Sequence, residues 1–372
     1  MPGEAQAASA FHAPSLDGIR ALAFALVFVG HAGLGELVPG GFGVTVFFFL
    51  SGYLITSLLR IEYDATGTFD LRQFYLRRAL RIWPPFYIVL ALAVAAEVTG
   101  LVHGGMRANA VGAQVVHLAN YWIVFHGFEG QPSGTGVYWS LAVEEHFYLL
   151  FPLLYLGLRR MFRSAGRQAL VLWGLCALVL AWRLVLVYGM HSSEDRTYMA
   201  TDTRFDSILF GCALAVHGNP MLDRPSRIPD AAWKWVLAPA SAAALAFCFL
   251  YRAEGFRETF RYTVQGIALR PLFVLAMRFP AWGPMKLLNT RTLAFGGVLS
   301  YVLYLVHYVV LDALAPVVGT GLWPGILALA VSVAIAWTLH RFVEKPAARL
   351  RKRLAFRIAR PGALALAEAR SR

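Results

Sequence analysis

Five polar clusters interrupt otherwise apolar stretches of this chain, and each needs a physical reason. The first is "DGIRALAFALVFVGHAGLG", residues 17–35, which sets His31 among aliphatic and aromatic neighbours and Arg20 at its mouth. On a helix these two positions, eleven apart, share one face and lie roughly 16 Å from each other. A ligand anchored by phosphates at Arg20 would extend a reactive end toward His31; the structural alternative is a histidine hydrogen-bonded to a neighbouring helix. The second is "FYLRRALRIWPPF", residues 74–86, where Arg78 and Arg81 stand three apart as a fork suited to phosphate oxygens. Basic residues at a helix end also serve membrane topology, so position alone leaves both roles open.

The third cluster, "VYWSLAVEEHFYLLFPLL" at 137–154, brings Glu144 and Glu145 into an apolar segment with Ser140 one turn earlier. Successive helical positions point about 100° apart, so one carboxylate can face a cavity while the other pairs with a neighbouring Arg or His. The fourth, "TRFDSILFGCALA" at 203–215, is expected to hold an internal Arg204–Asp206 ion pair, with Arg183 and Arg270 left as partners for Glu144 or Glu145. In the fifth, "GGVLSYVLYLVHYVVLDAL" at 296–314, Ser300, Tyr304 and His307 share one face as a polar lining, while Tyr301 and Tyr308 on another read as packing.

The elements that position these residues follow from composition. Of 372 residues 58% are hydrophobic and 15% charged, and the apolar residues arrive in blocks of bilayer-spanning length. Stretches such as "FYIVLALAVAA" are apolar on every side, which excludes the alternating pattern of a β-barrel. The expected fold is all-α, a polytopic integral membrane bundle of about ten helices. Spans are expected at 19–37, 42–59, 83–100, 139–158, 168–189, 203–217, 232–251, 262–279, 293–314 and 323–342.

Charge orients them. Arg60, Arg72, Arg77, Arg78 and Arg81, then Arg159 to Arg167, Arg224 and Arg227, Arg278 to Arg291, and the tail all fall on one side, which the positive-inside rule makes cytoplasmic, with both termini. The segment 110–128 breaks the parity of crossings and is expected to be one re-entrant or interfacial helix. The organisation is then a cytoplasmic segment at 1–18, a membrane domain at 19–342 and a basic cytoplasmic tail at 343–372.

The net charge of +13 comes with no zinc-ligand spacing and no basic groove interleaved with stacking aromatics, so no nucleic-acid partner is expected. Cys176, Cys212 and Cys248 lie inside apolar runs and give neither a disulfide framework nor a metal-ligand pair. No metal is expected. The first apolar run is too long for a signal-peptide core and should be retained. Gly-rich and Ala-rich runs suit close helix packing in either a monomer or a dimer.

Six blocks then occur in a characteristic order: "SLDGIRALAFALVFVGH", "GVTVFFFLSGYLI", "FYLRRALRIWPPF", "YWSLAVEEHFYLLFPLL", "TRFDSILFGCALA" and "LSYVLYLVHYVV". In sequence and spacing the chain resembles the membrane-bound acyltransferase family 3 proteins over nearly its whole length. The resemblance implies an O-acetyltransferase-like enzyme of the bacterial inner (plasma) membrane, moving an acyl group, usually acetyl from acetyl-CoA, to a carbohydrate hydroxyl. Acceptors in the family are cell-surface polysaccharide or lipopolysaccharide, and for some members a macrolide. By the same resemblance Arg20 and His31 fall on the family's basic residue and essential histidine, Arg78 and Arg81 on its R-x-x-R pair associated with acyl-CoA, and Glu144 and Glu145 on its glutamate-rich stretch. Two departures, His146 where many members have Gln and "YLVHYVV" for a tryptophan-rich motif, leave Arg20, His31, Arg78 and Arg81 untouched.

The expected site therefore comprises His31, Glu144 and Glu145 as catalytic residues, Arg20, Arg78 and Arg81 for the donor, and Ser140, Tyr304 and His307 for the acceptor. His31 is expected to act as general base, with Tyr304 or Ser51 as donors to an oxyanion. Direct transfer and an acyl-histidine intermediate are both compatible with these residue types. A transporter or flippase using His31, Glu144 and Arg183 as a pathway is the rival from another class, though the chain lacks the internal repeats of many such proteins. A purely structural or sensory protein is the third.

Overall fold

The computed structural model describes residues 13–351 and 353; residues 1–12 of the expected N-terminal segment, and residues 352 and 354–372 of the expected tail, lie outside the described residues. The described residues form helices and connecting turns, with no strand among them. The main helices are α1 (Pro14–Val29), α2 (Gly40–Thr66), α3 (Leu71–Val98), α4 (Ala108–Val115), α5 (Ala119–His126), α6 (Trp139–Met161), α7 (Ala165–Leu184), α8 (Glu194–Met199), α9 (Thr201–Val216), α10 (Ala238–Leu250), α11 (Phe260–Arg278), α12 (Arg291–Val318) and α13 (Leu322–Leu339).

By length and composition, 8 helices among the described residues can cross a bilayer. The chain is a multi-pass membrane protein. On α6, Leu149, Leu150 and Leu153 are exposed while Phe147, Phe151 and Tyr155 are buried, which is the arrangement of a helix with lipid on one side and protein on the other. The expected spans at 203–217 and 262–279 are the helices α9 and α11, which are not among those 8. The α9 helix has 16 residues, and nearly all are buried against α2 and α7. Wrapped in protein, it carries Arg204 and Asp206 without presenting either to hydrocarbon.

Two close crossings set the geometry. At the α2–α9 crossing, Gly52 lies against the Ile208 carbonyl and Gly211 against the Phe49 carbonyl, so no side chain fits at either position. Where α12 crosses α1, Gly297 lies against the Asp17 backbone, which brings the following turns of α12 onto the His31 end of α1.

Loops expected on one face do meet there. Arg60 pairs with Asp223, Arg159 with Asp64, and Arg77 with Glu62 at 2.9 Å. At the other end Arg196 pairs with Asp202 at 2.5 Å, and Arg257 with Glu194 at 3.4 Å. The single helix expected at 110–128 is instead two short ones, α4 and α5, broken where His117 takes a positive φ of 56°. Neither is long enough to cross a bilayer.

Candidate active site

The α1 helix does not end cleanly. It widens into one turn over Gly30–Leu34, in which Gly33 has φ 97°, and this turn carries His31 to the end of the bundle. There its Nδ1 lies 3.0 Å from Nε2 of His307 on α12, with the two rings stacked at 5.2 Å. Tyr308 adds a ring 4.7 Å from His31 on its other flank.

His307 is wholly buried, at 0% exposure, against Phe24, Phe28 and Tyr304. Its Nδ1 is 2.8 Å from the Tyr304 carbonyl and 3.2 Å from the Leu303 carbonyl. Carbonyls only accept, so in the neutral ring Nδ1 carries the proton and Nε2 is an acceptor. The proton between the two rings then belongs to His31 Nδ1, which donates to His307. His31 Nε2 keeps its lone pair, and no hydrogen-bond partner engages it among the described residues.

His31 lines a cavity of about 420 Å³, together with Phe128, Gln131, Ser133, Tyr304, Tyr308 and Asp312. Of the three residues expected to bind acceptor, Tyr304 is in its wall, while Ser140 and His307 stand behind. Ser140 is 2.7 Å from the Tyr304 hydroxyl and donates at 3.1 Å to the Val137 carbonyl. Ser51 is committed elsewhere, donating to Glu144 at 2.7 Å.

Glu144 also accepts from Tyr148 at 3.2 Å, and Glu145 keeps Oε1 buried without a hydrogen-bond partner. Among the described residues neither glutamate hydrogen-bonds His31, whose ring is held by His307 instead. A polar column joins the two regions: Glu144, Ser140 one turn before it, Tyr304, His307, His31. Below it lie the cations. Arg78 sits over the Tyr148 ring at 5.8 Å, and Arg20, Arg81 and Arg351 are near enough for mutual electrostatic effects. Arg20 donates to Asp17 at 2.7 Å, whereas Arg78 and Arg81 have no ion-pair partner among the described residues. Arg78 and Arg81, gathered with Arg20 and free of ion pairs among the described residues, make a ready site for phosphates. No group of three or more His, Cys, Asp or Glu able to hold a metal ion occurs among the described residues.

The expected Arg204–Asp206 pair is not formed. Positions two apart on a helix point to opposite sides, so Asp206 meets Arg183 in a two-pronged pair at 2.9 and 2.6 Å. That engagement also removes Arg183 from the glutamates, and Arg270 packs over Trp173 at 5.9 Å and donates to the His217 carbonyl. Arg204 is enclosed by aromatic rings.

The acyltransferase domain family matches residues 14–341, a stretch that contains every helix of the site. The chain belongs to that family. Its relatives include the peptidoglycan O-acetyltransferase OatA of Listeria monocytogenes, 31% identical over 355 residues, covering 90% of this chain and 56% of OatA. YrhL of Bacillus subtilis, provisionally named a peptidoglycan O-acetyltransferase, is 31% identical over 350 residues, 90% of this chain and 54% of its own. A Staphylococcus aureus protein provisionally named an O-acetyltransferase is 28% identical over 347 residues, with 90% and 57% covered. The chain thus spans little more than half the length of these relatives. No solved structure matches.

As a member of this acyltransferase family the chain holds several wall residues that sequence reasoning passed over. Spacing alone reads Tyr308 as packing, Gln131 and Ser133 belong to no motif, and Asp312 lies within the 296–314 cluster without sharing the face of Ser300, Tyr304 and His307. Ser133 donates to Asp312 at 3.1 Å across 179 positions, a proximity that no local pattern encodes.

Proposed function

We propose that this protein is a membrane O-acetyltransferase that moves an acetyl group from acetyl-CoA, or an acyl group from another acyl-CoA, to a hydroxyl of a bacterial cell-wall polysaccharide. The protein sits in the plasma membrane with both termini cytoplasmic, an orientation that the distribution of Lys and Arg supports. Phosphates of the donor are held by Arg20, Arg78 and Arg81, and its flexible arm runs along the polar column toward His31. The acceptor enters the cavity of His31, Tyr304, Tyr308 and Asp312.

His31 Nε2 takes the proton of the acceptor hydroxyl as that oxygen attacks the thioester carbonyl. The tetrahedral centre collapses with cleavage of the C–S bond, and the proton passes to the departing sulfur to give free CoA and the ester. His307 is a positioning residue that fixes the tautomer of His31, and Tyr308 can donate to the oxyanion, whereas the Tyr304 hydroxyl proton is committed to Ser140 and the Val137 carbonyl. Glu144 acts from the column through the network around Tyr148, and Glu145 from beside it, both orienting the donor rather than touching His31.

The observation that carries this reading is the His31–His307 pair on the cavity wall, with one ring nitrogen fixed as donor and the other left open. The names of the similar proteins support the acetyl group and the peptidoglycan class of acceptor. The test is mass spectrometry of cell-wall glycan incubated with acetyl-CoA and the purified protein. Acetylated sugar formed by the wild type and lost in His31→Ala supports the reading; a folded wild type that acetylates no glycan fraction with any acyl-CoA overturns it.

A further inference from the structure

A second cavity, of about 300 Å³, opens beside the first at the His31 end, and the proposed reaction leaves it unused. Its walls are residues 35–39 after the His31 turn, the first turn of α2, the α10–α11 connection, and Tyr198 and Tyr262. Gly40, Gly41 and Tyr198 line both cavities. Contact at that shared wall is close, since a Cβ on Gly41 would meet the Tyr198 hydroxyl at 2.5 Å.

The cations here are not fully neutralised. Arg257 reaches Glu194 at 3.4 Å, and Arg252 donates to the Glu36 carbonyl at 3.0 Å. Arg261 donates only to the Tyr262 hydroxyl, at 2.9 Å, and has no carboxylate partner among the described residues. Behind the wall Arg204 is wholly buried, its guanidinium 4.2 Å from the Tyr262 ring centre and 5.2 Å from that of Tyr198. It donates to the Tyr198 carbonyl and the Thr45 hydroxyl, both at 3.1 Å, and neither is an anion. Tyr262 is therefore flanked by two guanidiniums, Arg204 and Arg261, whose charge no described carboxylate cancels through an ion pair. Glu36 and Glu194 are the carboxylates in the wall, and Glu194 is already engaged.

We infer that this cavity is an anion-recognition subsite for the acceptor, taking a carboxylate or phosphate on the residue next to the one presented to His31, with Arg261 as its principal contact. The inference rests on the proposed reaction for what enters the neighbouring cavity. Its chemistry is independent of that reaction: guanidiniums recognise planar or tetrahedral oxyanions, and tyrosine faces pack against sugar rings. An uncharged acceptor gains nothing from such a pocket, so the subsite selects polymers that carry regularly spaced anions.

The test is calorimetric binding to the purified full chain in detergent, without donor. Three probes are used: an oligosaccharide bearing carboxylates, the same oligosaccharide as its methyl ester, and a glycerol phosphate oligomer. The carboxylated or the phosphate probe should bind about tenfold tighter than the ester. Arg261→Gln should remove that preference, and Arg261→Lys should keep part of it. Which of the two anionic probes binds better identifies the source of the anion. Equal binding of acid and ester with no binding of phosphate, a preference that survives Arg261→Gln, or no binding of any probe overturns the inference. Because no turnover is read, a protein that binds the acid yet acetylates nothing would sink the proposed reaction and leave the subsite standing.

Discussion

His31 on the widened turn after α1 donates from Nδ1 to Nε2 of His307 on α12, across 3.0 Å and 276 positions of sequence. Two carbonyls of α12 fix the proton on the far side of His307, so the chain of donors runs in one direction and ends at an open lone pair on His31.

Removing His307 should therefore cost turnover rather than donor binding. His307→Ala is expected to lower kcat by about tenfold to a hundredfold while leaving the KM for acyl-CoA near wild type. His307→Gln, whose side-chain carbonyl can take the place of Nε2 as acceptor, should recover part of the loss. Equal loss in both variants would assign His307 a packing role only.

Arg78→Ala and Arg81→Ala should behave in the opposite way, because their guanidiniums stand with Arg20 at the far end of the polar column from His31. Each is expected to raise the KM for acyl-CoA by about tenfold, with dephospho-CoA thioesters less sensitive to the change than CoA thioesters. Steady-state kinetics with saturating acceptor distinguishes this from an effect on chemistry.

Arg183 and Asp206 form a two-pronged pair with both side chains at 0% exposure. Breaking it leaves a lone charge inside the bundle, so Asp206→Ala should cost about 3–5 kcal/mol of stability. Thermal unfolding in detergent should show the loss, and Arg183→Met combined with Asp206→Leu should be less damaging than either single change. A tolerant Asp206→Ala would mean that water reaches the pair.

Asp223 lies in the loop after α9, outside the spans. Burial alone would raise its carboxyl, but the Arg60 guanidinium and the Asn219 and Gly218 amides outweigh that and hold it below the usual carboxylate range. A folded-state value below the unfolded one, about 3.9, stabilises the fold at pH above that value and loses the contribution as the pH falls through the folded one. Asp223→Asn should therefore lower the melting temperature at pH 7 and flatten its decline on acidification toward pH 3. Parallel curves for the two proteins would contradict the linkage.

Much of this was legible in the sequence. The apolar blocks marked 8 helices able to span among the described residues, though not the ten expected, and a polar residue in hydrocarbon is costly enough that His31, Glu144, Arg204 and Asp206 announced themselves. Pairing was not legible, because it depends on which helix crosses which. Asp206 could not reveal that Arg183, rather than Arg204, would turn toward it. His307 looked like one member of a polar face, and only the crossing at Gly297 puts it behind His31 instead of in the cavity. Arg78 and Arg81 were recognisable as a fork, while the Tyr148 ring beneath Arg78 was not. The helix α9 was expected to span on its apolar content, yet its burial by α2 and α7 is a property of its neighbours.

The central claim is that His31 does the chemistry while the arginines hold the donor. Its most direct test is to measure, on one preparation of His31→Ala, both the affinity for acetyl-CoA and the single-turnover rate of acetyl transfer to cell-wall glycan at saturating donor. The account predicts donor affinity within about twofold of wild type and a transfer rate lower by about a hundredfold to ten-thousandfold. A rate close to wild type would contradict it.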